Sequence, residues 1–236
     1  FGYTDFPDGI GQFWSFSAQE SASNECISQP FMQQTLKEIW DDHPDLFNSK
    51  YIHFPFIISL VGAEDHLSIQ VHPNDGIAQK MGYEMGKNEA WYFLDSKPNA
   101  YIFYGHTFAH KDAFTQSIIA KNFENYLLRP LHLKEGIECI DFDQKVLNNE
   151  IEPVILSFNQ STLTYYRCEQ AFIVYKFEVK NQFDYPISRY MVCTVTQGCG
   201  WVNDEMVKLG DSFLVTCANQ ILKLNGNMTL MCTSEV

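Results

Sequence analysis

Residues 67–73, Leu-Ser-Ile-Gln-Val-His-Pro, alternate polar and apolar side chains, and that period of two constrains the chain more than any other feature. On an extended strand Ser68, Gln70 and His72 share one face. Pro73 favours extended backbone at His72. The next motif, Gly86-Lys87-Asn88-Glu89-Ala90-Trp91-Tyr92, puts Lys87 and Glu89 on one face by the same rule. Glu89 follows 17 positions after His72, enough chain to turn and return along a second strand. The pattern predicts a β-barrel mouth where an imidazole, a carboxylate, an amide oxygen and an ammonium converge, which is half of a metal site. Beside Trp91 and Phe93 on its face, Glu89 is expected to be partly buried. A buried carboxylate needs a partner, and a metal ion is a good one.

The rest of the chain reads as a mainly β protein. Thr35-x-x-Glu38 is a capping box ahead of Leu36, Ile39 and Trp40, which predicts a helix over 35–42 that Pro44 limits. The apolar run 54–61 predicts a buried strand. Residues 67–72 and 89–94 are expected as strands, with 100–104 closing a hairpin across Lys97-Pro98-Asn99. Apolar residues at helical spacing from Phe114 to Leu127 predict a helix over 112–128. Beyond 150 the pattern becomes short strands: 152–158, 163–167, 172–179, 189–196, 199–203, 212–216, 221–224 and 228–233. This predicts an antiparallel jelly-roll.

A net charge of −13 argues against nucleic-acid binding and requires a locally positive pocket for any phosphorylated ligand. No apolar run approaches the ~18 residues that span a membrane. The seven cysteines are scattered and form no Cys-x-x-Cys pair, the pattern of reduced thiols in a cytoplasmic protein. Residues 146–236 contain no histidine, so a C-terminal barrel is expected to be metal-free and structural.

"LSIQVHP" and "GKNEAWYFLDSKPNAYIFYG" resemble the type I mannose-6-phosphate isomerases in their short bacterial form. "FGYTDFPDGIGQFWSFSA", "TLKEIWDDHPDLF", "HLKEGIECIDF" and "VTQGCGWVNDEMVKLGDSFLV" are weaker matches to the same family. The resemblance implies two cupin-like jelly-roll barrels with a few accessory helices. The first, over 1–145, would bind metal; the second, over 146–236, would not. It implies one Zn²⁺ per chain held by Gln70, His72 and Glu89, with Ser68 on a substrate phosphate. Lys87 is the candidate to stabilise developing negative charge or hold the phosphate, so it serves catalysis and substrate binding. The implied reaction interconverts mannose 6-phosphate and fructose 6-phosphate by proton transfer between C1 and C2. Of the other histidines, His43, His53 and His66 read as surface residues near turns and His132 as structural. His106 and His110 flank the turn after Gly105.

The sequence also departs from the family pattern. The family continues with a Pro-x-Gly-Thr-x-His strand and an Arg-bearing segment, which supply the remaining zinc ligand and an essential Arg. Here Arg129 runs directly into Pro130. A segment is therefore expected to be missing at that junction, and the acid/base group with it. Omission from an otherwise intact protein fits better than deletion, because a deleted strand pair would leave unpaired edges and an open core. The chain also opens at Phe1 where the family has already run through a strand or two. Gln19 ends Trp14-Ser15-Phe16-Ser17-Ala18-Gln19 where the family has His, and Ser59 stands at a frequent Lys. Two alternatives stay open: a non-catalytic sugar- or metal-binding relative, and an isomerase of another phospho-sugar.

Overall fold

The computed structural model describes residues 11–63, 67–68, 70–102, 105, 108–121, 133–140, 151–168 and 171–236. The described residues up to 63 and from 151 onward form one compact unit, and those from 67 to 140 form another.

The first unit opens with strands β1 (Gln12–Phe16), β2 (Ala18–Gln19) and β3 (Ala22–Ser23). Helix α1 (Leu36–Asp42) follows, with both bonds of the Thr35/Glu38 capping box made and Leu36, Ile39 and Trp40 buried. Strand β4 (Ile58–Val61) pairs antiparallel with β1. It is shorter than the expected 54–61, because Pro55 has no N–H for a ladder and pairing starts only at Ile58.

The second unit contains helices α2 (Asp75–Lys80), α3 (Lys111–Lys121) and α4 (Leu133–Cys139). Helix α3 occupies the first part of the expected 112–128; residues 122–132 and 141–150 lie outside the described set, and the Arg129–Pro130 junction with them. Helices α2 and α4 were not anticipated.

The chain returns to the first unit as strands β5 (Val154–Phe158), β6 (Ser161–Cys168), β7 (Phe172–Pro186), β8 (Met191–Val202), β9 (Glu205–Lys208), β10 (Ser212–Val215) and β11 (Ile221–Glu235). They form a seven-stranded antiparallel sheet in the order β10-β8-β11-β7-β6-β5, with β9 on β8. Among the described residues the sheet does not close into a barrel. Four of the expected short strands merge into two long ones, because the glycines between them mark close approach rather than chain reversal. A Cβ on Gly198 would lie 2.1 Å from the Asn227 carbonyl oxygen, and one on Gly226 would lie 2.7 Å from Gly200 Cα. Both glycines also have positive φ, and the β8–β11 register shifts at Thr229/Leu230. Bulges of this kind bend a strand without ending it. The hairpin β8–β9 turns on Asn203 and Asp204, both at positive φ, the two-residue geometry that matches strand twist.

Strand β8 is buried from Met191 to Val195 because it serves two cores. Met191, Cys193 and Val195 pack with Leu163, Phe177, Leu222, Leu224 and Leu230. Val192 points the other way and packs with Tyr190, α1, Phe47 and Phe56. Each fully buried Leu or Phe contributes roughly 1.5–3 kcal/mol through removal from water. On the second face Trp40 is the hub, 4.5 Å from Phe47 and 5.5 Å from Tyr190 between ring centroids, with its indole N–H donating to the Ile52 carbonyl at 2.8 Å. Glu235, at the end of β11, pins this face. Its buried carboxylate accepts from Ser49 Oγ and from Arg189 Nη1 at 3.1 Å.

Candidate metal centre

The site segment is built from local signals. Asn74 caps α2, its Oδ1 accepting from the Ile77 N–H at 3.0 Å. The helix ends in a left-handed Gly82 (φ +87°), with Gly82 N–H donating to the Gln79 carbonyl and Tyr83 N–H to the Ala78 carbonyl. That paired closure is a Schellman motif, and it turns the chain back. The returning backbone then meets the start of the helix. Gly86 N–H donates to Asp75 Oδ1 at 2.9 Å, and Lys87 N–H to the Pro73 carbonyl at 3.0 Å.

This return sets the side chains. Glu89 Oε2 lies 2.9 Å from His72 Nε2 and 2.9 Å from Lys87 Nζ. The Trp91 indole N–H donates to the other oxygen, Glu89 Oε1. The Glu89 side chain is 32% exposed and that of His72 25%, so the expected partial burial of Glu89 holds. Partial burial pushes the Glu89 carboxyl upward. Hydrogen bonds from Lys87 and Trp91, with the charges of Lys87 and His72, outweigh it and hold the carboxyl below its ordinary value. Gln70 and Ser68 pair with each other, the amide nitrogen donating to Ser68 Oγ at 2.9 Å. That bond leaves the amide oxygen as the atom suited to a cation.

His72, Lys87 and Glu89 are thus brought together, while Gln70 and Ser68 form a separate exposed pair. The donors fit the nitrogen and oxygen chemistry of zinc. Among the described residues, however, no group of three His, Cys, Asp or Glu side chains gathers as a metal cluster. Of the other histidines, His43 lies against the Phe31 ring at 4.9 Å and His110 Nδ1 accepts from Ala113 N–H at the start of α3. His66, His106 and His132 lie outside the described residues.

Three expected strands need correction. The described residues of 67–72, 89–94 and 100–104 form no ladder. The Lys97–Ala100 turn is present, with Ala100 N–H donating to the Lys97 carbonyl and Asn99 at φ +65°, but its described arms form no ladder. Trp91 and Phe93, expected to help bury Glu89, are 52% and 54% exposed. A ladder needs repeated backbone pairing, and the described bonds joining the first two stretches are instead the Lys87–Pro73 bond beside them and the His72–Glu89 side-chain contact. Asp75, Gly86 and the Trp91 indole were missed as parts of the site. Asn74-Asp75-Gly76 after Pro73 is a helix-start signal that could have revealed α2; nothing in the sequence marks the Asp75–Gly86 bond.

Residues 5–106 match the family model for the phosphomannose isomerase type I catalytic domain. A probable mannose-6-phosphate isomerase of Bacillus subtilis, GmuF, is 35% identical over 140 residues, covering 58% of this chain and 44% of the relative. The mannose-6-phosphate isomerase ManA of the same organism is 34% identical over 138 residues, again 58% and 44%. The chain thus spans less than half the length of the curated relatives it matches. The crystal structure of the mannose 6-phosphate isomerase from Bacillus subtilis superposes with a TM-score of 0.86 at 22% identity, covering 94% of this chain and 89% of that one. The mainly β fold is therefore shared with a solved isomerase. The likeness to type I phosphomannose isomerases, first carried by two short motifs, holds in a family model, in curated relatives and in the fold.

Proposed function

We propose that this chain carries a zinc-dependent aldose–ketose isomerase activity, interconverting mannose 6-phosphate and fructose 6-phosphate by proton transfer between C1 and C2. The observation that carries the reading is the Glu89 carboxylate shared by His72 and Lys87, inside the stretch that matches the catalytic-domain model. In this reading the Gln70 amide oxygen, His72 Nε2 and Glu89 hold one Zn²⁺ per chain. The ion, when bound, supplies Lewis acidity toward sugar oxygens. Trp91 orients Glu89 through its indole N–H, and a bound ion would take the place of the direct His72–Glu89 contact. Lys87, 53% exposed, has the reach to offset negative charge on the substrate as the proton moves, or on its phosphate. The Ser68 hydroxyl is assigned to the phosphate. The third histidine ligand, the essential Arg and the base are assigned to the family segment expected between Arg129 and Pro130.

The division into a metal-binding part, 1–145, and a metal-free part, 146–236, each a cupin-like barrel, is proposed as one of function rather than compactness. The chain up to residue 63 packs with the C-terminal sheet. A cytoplasmic location is proposed from the cysteine pattern. Among the described residues no helix is long and apolar enough to cross a membrane. Gln19, where the family has His, favours one rival, a relative that binds without catalysis.

The test is turnover of mannose 6-phosphate by zinc-loaded protein, with metal content measured in parallel. Zinc at about one per chain, lost in His72→Ala, together with fructose 6-phosphate formation, supports the reading. Zinc bound without turnover turns it to the non-catalytic rival. Activity confined to other members of a phospho-sugar panel changes the substrate.

A further inference from the structure

We propose that Asp75 and Gly86 are the positioning pair of this site. The Asp75 carboxylate clasps the backbone of the returning chain and so sets where Lys87 and Glu89 meet His72. The inference deepens the isomerase reading and rests on it for the choice of zinc as probe.

Three observations carry it. First, two hydrogen bonds stitch the segments in the absence of a ladder: Gly86 N–H to Asp75 Oδ1 at 2.9 Å, and Lys87 N–H to the Pro73 carbonyl at 3.0 Å. Second, the stitched backbones touch. A Cβ at residue 86 would lie 2.4 Å from the Pro73 carbonyl oxygen, 2.6 Å from Asn74 C and 2.8 Å from Asp75 N, all backbone atoms that no rotamer change can move. Glycine at 86 is thus required by close approach. Third, the lever is short. His72 directly precedes Pro73, Lys87 is itself stitched, and Glu89 follows two residues on.

Magnitudes decide how much this matters. Relieving a 2.4 Å contact to an ordinary 3.4 Å moves the backbones apart by 3.4 − 2.4, about 1 Å. Metal–ligand distances hold within about 0.2 Å. An alanine at 86 therefore displaces Glu89 from His72 by several times the tolerance of a shared cation. Asp75 acts as an acceptor, so Asn can replace it and Ala cannot.

The experiment measures zinc affinity of the full chain by chelator competition, together with the Trp91 indole N–H resonance in zinc-free protein. That resonance reports the Trp91–Glu89 bond without metal. Asp75→Ala is expected to weaken zinc binding ~10–100-fold, the usual effect of removing a group that orients a ligand, and Gly86→Ala at least as much. Both should shift the Trp91 resonance, while Asp75→Asn keeps both readouts near the unaltered chain. Unchanged affinity and resonance in Asp75→Ala overturns the proposal. So does an Asp75→Asn variant as impaired as Asp75→Ala, since a general loss of local stability would not be rescued by an isosteric acceptor. If Gly86→Ala does not fold, the two Asp75 variants decide alone. If the unaltered chain binds no zinc but the resonance follows the expected order, the isomerase reading fails and the positioning pair stands.

Discussion

The C-terminal sheet and the segment from Leu67 to Ile102 both carry alternating apolar residues, yet they use them in opposite ways. In the sheet, alternation becomes a continuous ladder, and Leu163, Phe177, Leu222, Leu224 and Leu230 are fully buried. In the site segment Trp91, Tyr92, Phe93 and Leu94 remain 43–54% exposed. The sheet is held by repeated cross-strand pairing around a core. The site segment is held by a helix cap, a left-handed glycine and two bonds at Pro73 and Asp75. Alternation supplies one face of a strand, and a partner must supply the hydrogen bonds. Stability is thus expected to reside in the first region and functional geometry in the second.

The largest expected effect is in the sheet. Leu230→Ala should destabilise by about 2–5 kcal/mol, the range for a buried leucine whose cavity cannot collapse. Urea unfolding checks this, and a loss under ~1 kcal/mol would break the contrast drawn above. Lys87→Met should do the reverse. It keeps the aliphatic stem and leaves the urea midpoint unchanged. If Lys87 stabilises transition-state charge, turnover of zinc-loaded protein should fall ~100-fold, about 2.7 kcal/mol. If KM rises with kcat intact, Lys87 holds phosphate instead. Unchanged kinetics would return it to an ordinary exposed lysine.

A smaller effect is expected at Tyr190. Among the described residues its buried hydroxyl has no partner in hydrogen-bonding geometry, although Glu235 lies close enough to act on it. Tyr190→Phe should therefore stay within ~1 kcal/mol of the unaltered protein. Burial, then the nearby Glu235 charge, raises the Tyr190 phenol above its ordinary 10. Its stabilising contribution is present below pH 10 and is lost as pH rises beyond it, because the unfolded chain ionises first. The phenylalanine variant should lose less stability between pH 10 and 11 than the unaltered protein, and equal losses would reject the assignment.

The smallest effect belongs to the site. Glu89 is held below its ordinary value of 4.5, against the pull of burial, chiefly by Lys87 and Trp91. A lowered carboxyl contributes stability that is present above 4.5 and is lost as pH falls through the folded value. In zinc-free protein the Trp91 indole resonance should titrate below 4.5. Lys87→Met should move the midpoint upward; a midpoint that stays put would mean that Lys87 does not bear on Glu89.

Much of the fold could be read from local patterns. The capping box at Thr35 and Glu38 led directly to α1, and the strands beyond 150 were located, although breaks were expected at 197–198 and 225–227, where Gly198 and Gly226 lie within continuous strands. Strand β9 was missed because Asn203-Asp204 is a weaker turn signal than Asn-Gly. At the site, the meeting of His72, Lys87 and Glu89 was legible from alternation and chain length. The means of meeting was not: strands were expected where the structure has a capped helix and a backbone clasp.

By itself, then, the sequence determined what depends on neighbours along the chain: caps, side-chain alternation and the residue types at the site. Only the tertiary structure decided which extended segments found ladder partners, which glycines bend a strand rather than end it, and that Asp75 holds Gly86. These outcomes depend on contacts between residues distant along the chain, where a backbone group takes whichever partner the fold brings within about 3 Å. No local pattern encodes that choice.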